Sequence, residues 1–206
     1  RRRCNGCVYC ACSANGTRTL KPFFIEGYTM NAMQFLISTL FDLFLMLVLL
    51  RFWLQWAKAD FYNPMSQFVV KATSFAVNPL RKIIPGLGGL DLASLLLAFI
   101  VAAAKISTLM WLIYSSWAIQ PVLIQALITV LKEGLNLVFW VLIIRAILSW
   151  VSQGYNPIEA VFHQLTEPML KPIRKILPPL GGLDLSVLVL IIGIQFLQML
   201  LMDLLA

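Results

Sequence analysis

Pro79-Leu-Arg-Lys-Ile-Ile-Pro-Gly-Leu-Gly-Gly-Leu-Asp-Leu92 is written again at Pro172-Ile-Arg-Lys-Ile-Leu-Pro-Pro-Leu-Gly-Gly-Leu-Asp-Leu185. Eleven of the 14 positions are identical, and the other three exchange one apolar residue for another. The copies lie 93 residues apart, and upstream Tyr62-Asn63-Pro64 answers Tyr155-Asn156-Pro157 at the same offset. Arg51 and Trp56 answer Arg145 and Trp150 at an offset of 94, so one residue has been lost between Trp150 and Tyr155. The chain is a tandem duplication, and every unusual residue can be weighed against its twin.

Composition decides what has been duplicated. The chain of 206 residues is 60% hydrophobic and only 12% charged, about half the charge of a soluble domain. Met33 to Trp56 contains only Asp42 and Arg51 as charges, Leu92 to Trp117 only Lys105, Gly134 to Val151 only Arg145, and Leu185 to Leu205 only Asp203. Each run is long enough to cross a hydrocarbon layer of about 30 Å as a helix. The sequence predicts an all-α membrane protein with four transmembrane helices, two per repeat. Gln120 to Lys132 extends the third span on this reading and adds no fifth crossing.

A pair of spans returns the chain to its starting side, so the repeats are expected to be parallel, related by an axis along the membrane normal. The loop from Ala57 to Leu90 holds Lys58, Lys71, Arg81 and Lys82 against Asp60. Its twin, Val151 to Leu183, holds Lys171, Arg174 and Lys175 against Glu159 and Glu167, while Ser115 to Pro121 has no charge. The positive-inside rule puts both long loops in the cytoplasm and both termini outside.

Residues 1–29 oppose that rule. They carry Arg1, Arg2, Arg3, Arg18 and Lys21 against Glu26, and all four cysteines, Cys4, Cys7, Cys10 and Cys12. C-x-x-C-x-x-C-x-C could converge on a metal, but no second ligand pair follows, so neither a metal nor another cofactor is expected. The plainer expectation is that translation starts at Met30 or Met33 and that the tail is upstream sequence read in frame. Without it the net charge falls from +7 to +3. A nucleic-acid partner then has no electrostatic basis. The expected organisation is a tail over 1–29, a first repeat over 30–117 and a second over 118–206.

The repeated loop has its own order. Asn63-Pro64 and Asn156-Pro157 place a good N-cap before proline at the first helical position. Met65, Phe68, Val69 and Ala72, and likewise Ile158, Val161, Phe162 and Leu165, follow the i, i+3, i+4, i+7 stripe of an amphipathic helix. A proline-bounded basic turn comes next, then Gly88-Gly89 or Gly181-Gly182, and Asp91 or Asp184 caps the returning span. Such a helix either lies in the headgroup plane or packs onto the span bundle. Arg81-Lys82 and Arg174-Lys175 are expected to face anionic lipid or a protein partner, at roughly 1 kcal/mol per basic residue near such a surface.

R-x-x-x-x-W, then Asn-Pro, an amphipathic stretch, P-[LI]-R-K-I-[IL]-P and G-G-L-D resembles the YggT family of small membrane proteins in its two-repeat proteobacterial form. The resemblance runs from about Met30 to Ala206 and covers both repeats. It implies a multi-pass protein of the bacterial inner membrane with no established enzymatic activity. Relatives are linked to osmotic or potassium tolerance, to neighbourhoods of cell-division genes, and in plastids to nucleoid distribution and cytochrome b6f assembly.

Catalytic patterns are missing from the sequence. His163 is the only histidine, and its twin is Val70. There is no GxSxG, HExxH, P-loop or dinucleotide fingerprint, and the Gly-Gly turn lacks the lysine and serine that cradle phosphate. Glu159 and Glu167 have no twins at Ser66 and Ser74. No catalytic residue is assigned.

The spans hold a better clue. Asp42 precedes Trp56 by 14 residues, and Lys105 follows Asp91 by 14. At about 1.5 Å per residue both lie roughly 21 Å from the loop side, at matching depth on antiparallel neighbours. Their twins are Asn136 and Gln198, so an acid–base pair in repeat one answers an amide pair in repeat two. Such groups either form an ion or proton site or serve as interhelical hydrogen-bonded glue. Arg51 and Arg145 are expected to snorkel to the headgroups, with Trp56 and Trp150 in the aromatic belt. Two functions fit: a non-enzymatic scaffold or assembly factor contacting lipids and a membrane-protein partner (another copy included), or a small channel or transporter subunit in ion homeostasis.

Overall fold

A computed structural model describes residues 31–60, 62–83, 91–114, 119–151, 157–176 and 185–205. Regular structure in these residues is helical: α1 Ala32–Trp56, α2 Pro64–Ile83, α3 Leu92–Tyr114, α4 Ile119–Val151, α5 Pro157–Ile176 and α6 Leu185–Leu205. Four of the six are long and apolar enough to cross a membrane: α1, α3, α4 and α6. Gln120 to Lys132 belongs to α4, which runs unbroken for 33 residues, about 50 Å, and makes no separate crossing. The tail with its cysteines, both Gly-Gly turns, Asn156, Asp184 and the side chain of Trp150 lie outside the described residues.

Local chemistry sets the helix ends. At the start of α1 the Asn31 amide donates to Gln34 Oε1 at 3.1 Å, which satisfies an N–H that has no intrahelical partner. At its end Lys58 turns into the left-handed region with φ 52°. The Ala59 amide then reaches Leu54 O at 3.0 Å and the Lys58 amide reaches Gln55 O at 3.1 Å, which closes the last turn as a Schellman motif. For α2, Asn63 Oδ1 accepts the Met65 amide at 3.1 Å, and Pro64 fills the first helical position, where its missing N–H costs nothing.

The spans pack in the order α1–α3–α4–α6, with α4 also against α1. α2 lies on α1 and α3, α5 lies on α4 and α6, and α2 touches α5. One apolar core joins α1, α2, α3 and one side of α4 around Leu45, Val48, Leu54, Ala98 and Val141. A smaller one sits around Leu142, Leu170, Val187 and Ile194. The stripe expected on α2 is turned. Val69 is buried, but Met65 and Phe68 are exposed, and the inner face is completed by Ser66, Thr73 and Val77. Two of those inner residues are small and polar, so a hydrophobicity pattern overlooks them. On α5, Val161, Phe162 and Leu165 are buried as expected, and Ile158 is exposed.

Candidate functional site: buried charges and a polar pocket

Arg51 leaves α1 five residues before its end, and it does not reach for the headgroups. The side chain is only 4% exposed. Its Nη1 donates to Val70 O at 3.1 Å and to Thr73 Oγ1 at 2.9 Å, both on α2. The Thr73 hydroxyl in turn donates to Val69 O at 2.7 Å, so its proton is committed to the backbone and a lone pair faces the guanidinium. Arg51 Nε lies 3.8 Å from the Asp91 carboxylate at the head of α3.

Asp91 gathers the rest. It is buried, and Arg81 Nη2 of α2 donates to its Oδ2 at 2.5 Å. Ser94 Oγ donates to the same oxygen at 2.7 Å, while the Ser94 amide donates to Oδ1 at 3.4 Å, an N-cap for α3. Arg81 also reaches Gln55 of α1 at 3.1 Å. Three helices therefore meet at one carboxylate. Burial alone raises the pKa of Asp91, but the Arg81 and Ser94 hydrogen bonds and the Arg81 charge outweigh it and hold the group below its usual range.

In repeat two the described residues repeat the arginine–threonine contact and add partners of their own. Arg145 of α4 is equally buried and donates to Thr166 of α5, the twin of Thr73. The Thr166 hydroxyl donates to Phe162 O at 2.7 Å, matching Thr73. Arg145 Nη2 also lies 3.2 Å from His163 Nδ1, where repeat one uses the Val70 carbonyl. Guanidinium nitrogens only donate, so His163 Nδ1 accepts and its proton sits on Nε2. Burial, then the Arg145 charge, lower the His163 pKa below 6.5, and Glu167 opposes them. Arg174, the twin of Arg81, donates to Glu167 at 3.3 Å.

Several expectations change. Arg51 and Arg145 are internal ties and not snorkelling anchors, because Thr73 and Thr166 offer acceptors inside the packing. Arg81 is partly exposed but directs its guanidinium at Asp91, whereas Lys82 and Lys175 are exposed. Trp56 is exposed at the end of α1. Thr73 and Thr166 were missed as site residues, although their identity at the 93-residue offset is visible in the sequence.

Within the spans, Lys105 Nζ lies 2.5 Å from Asp42 Oδ1 across α1 and α3, and Ser38 Oγ donates to Asp42 Oδ2 at 3.2 Å. The two groups that residue counting put at one depth do meet. Their twins do not. Asn136 donates to Glu133 at 3.4 Å, and no hydrogen bond among the described residues joins it to Gln198. Instead both amides line a cavity of about 480 Å³ between α4 and α6, with Lys132, Gln195 and Asp203 on its walls. Where repeat one has a closed ion pair, repeat two has an open cavity whose polar groups sit among Met199, Leu201 and Met202. Among the described residues, no three His, Cys, Asp or Glu side chains gather as a metal site.

The two-part arrangement has known relatives. A family model described as CCB3/YggT matches residues 30–112 and again 124–205. An uncharacterized protein from the proC 3′ region of Vibrio alginolyticus is 58% identical over 177 residues, 84% of this chain and 95% of that protein. The uncharacterized protein YggT of Escherichia coli K12 is 46% identical over 171 residues, 82% of this chain and 89% of its own. The uncharacterized protein PA0392 of Pseudomonas aeruginosa is 47% identical over 179 residues, covering 85% of this chain and 91% of the relative. No solved structure matches. With the family model matched once in each half and the residues on both sides of each tie inside those matches, the chain belongs to the CCB3/YggT family.

Proposed function

We propose that this protein is a non-enzymatic scaffold of the bacterial inner membrane, with two parallel repeats that hold α2 and α5 at the cytoplasmic surface for lipid headgroups and a membrane-protein partner. The observation that carries this reading is the outward face of α2. Phe68 and Phe75 stand exposed there, beside Lys71 and Lys82 and with Tyr62 exposed just before the helix, although the same helix is tied from behind by Arg51 and Asp91. A rigidly held helix with an aromatic and basic outer face suits docking at a surface better than chemistry or conduction. The Asp42–Lys105 ion pair supports the same reading, because both charges are used inside repeat one.

The cavity beside Asn136 and Gln198 favours a second function, a channel or transporter subunit in ion homeostasis. Both are tested together. A photoreactive side chain at Phe68 in native membranes should give discrete protein adducts, while one at the apolar, exposed Trp111 should give lipid adducts alone. Reconstituted liposomes should leak potassium and protons no faster than empty vesicles. Flux above that baseline would replace the scaffold reading with the transport one.

A further inference from the structure

The two repeats meet chiefly through one side of α3 and one side of α4, with smaller contacts of α1 on α4 and α2 on α5, and each side of the main joint has a twin elsewhere on the molecule. On α4, Ala126, Val130 and Leu137 are buried in the core shared with repeat one. Their twins on α1 are Ala32, Leu36 and Leu43, all exposed. Leu137 is 5% exposed and Leu43 is 56%. On α3, Phe99, Ala103, Ile106 and Met110 follow i, i+4, i+7, i+11, a single helix face packed into that core. Their twins on α6 are Ile192, Phe196, Met199 and Asp203, and all four are exposed. Ile106 is 8% exposed and Met199 is 65%.

The contact between repeats is thus heterologous: two different surfaces meet, and the molecule carries an uncovered copy of each. α6 does not pack on α1 of its own chain as α3 packs on α4. A two-fold arrangement would have used both copies internally. We infer that α6 of one molecule docks on α1 of a second copy of this chain, continuing the α3–α4 joint from molecule to molecule. If the repeats are parallel, each step is a rotation about the membrane normal with no rise along it, so the copies stay in one membrane plane and form a ring where that rotation divides a full turn. Most substituted positions keep the face apolar, Phe196 standing for Ala103 and Leu36 for Val130, while Asp203 replaces Met110 at its outer end. The inference does not depend on the scaffold reading, since a ring suits a pore equally well.

Leu43 and Met199 are the twins of Leu137 and Ile106, which lie at nearly one depth by residue count, so they report the joint. In a full-length chain with Cys4, Cys7, Cys10 and Cys12 changed to serine, Leu43→Cys with Met199→Cys should give a ladder of disulfide-linked species on oxidation in membranes. Leu43→Cys and Met199→Cys placed on separate co-expressed chains should give dimers and nothing larger. Ile100→Cys with Ile144→Cys, exposed positions on other faces, controls for random collision. Monomer alone in the test pair, at normal membrane levels of the protein, would show that lipid covers these faces and overturn the inference. A ladder equally strong in the control pair would do the same.

Discussion

Repeat one joins its two spans by an ion pair, Asp42 to Lys105, whereas the twin positions in repeat two are amides that border a cavity. In the first, Arg51 and Arg81 converge on Asp91, and Asp42 meets Lys105. In the second, the matching arginine rests on a hydroxyl and an imidazole, and the matching intramembrane pair is two amides beside a cavity. Among the described residues, both repeats share the arginine–threonine tie, Arg51 to Thr73 and Arg145 to Thr166. A duplicated fold keeps what holds the surface helix to its span. It is free to vary what lies between the spans.

The comparison can be broken most severely at Asp91. Asp91→Ala removes the one negative charge that two guanidinium groups share, one of them buried, and should cost about 3–5 kcal/mol in detergent unfolding. Asp42→Asn is expected to cost less, roughly 1–3 kcal/mol, because the asparagine keeps an oxygen that accepts from the Lys105 ammonium. Adding Lys105→Gln should recover most of that loss, as a double-mutant cycle would measure. Asn136→Asp, the reverse change in repeat two, should shift stability by only about 0.5 kcal/mol, because Lys132 on the open cavity wall offsets Glu133 beside the new carboxylate. Equal costs for Asp42→Asn and Asn136→Asp would erase the distinction between the repeats.

A smaller effect sharpens the account of how α1 ends. Lys58 holds a left-handed conformation that disfavours any side chain. Lys58→Gly should therefore stabilise the protein by about 0.5–1 kcal/mol, read as a higher midpoint of thermal unfolding.

The smallest effect is the response to acid. Folding lowers the His163 pKa, so the unfolded chain takes up its proton first and stability falls as pH drops below 6.5. Asp91 has the opposite charge type and a lowered pKa. Its contribution is present above its usual 3.8 and is lost only as pH falls through the lower folded value. Mild acid should therefore loosen repeat two before repeat one. His163→Gln should flatten the thermal-unfolding profile between neutral pH and pH 6 without touching the more acidic limb.

Length, apolar runs and the repeated motif made the four spans legible in the sequence. Counting from the motif also aligned Asp42 with Lys105, because depth along a helix is a linear function of residue number. Rotation about the helix is not legible in that way. Arg51 sits where snorkelling arginines sit, and only the facing of Thr73 on α2 shows that it turns inward. Asn136 and Gln198 were matched in depth by the same count, but two amides on facing helices need their side chains aimed at each other. That aim depends on how α4 and α6 are turned, which no spacing in either span records.

The placement of Asp91 also orders events in time. During synthesis Arg51 enters the membrane region 40 residues before Asp91 leaves the ribosome, an interval of roughly 2–8 s. Thr73 emerges in between and can take one hydrogen bond, but it brings no negative charge. The first repeat is therefore an incomplete object until the head of α3 arrives, and a nascent chain halted before that point carries an uncompensated cation among apolar side chains. Membrane quality control has a physical mark to recognise there: half-made copies differ from finished ones by one exposed need for a carboxylate.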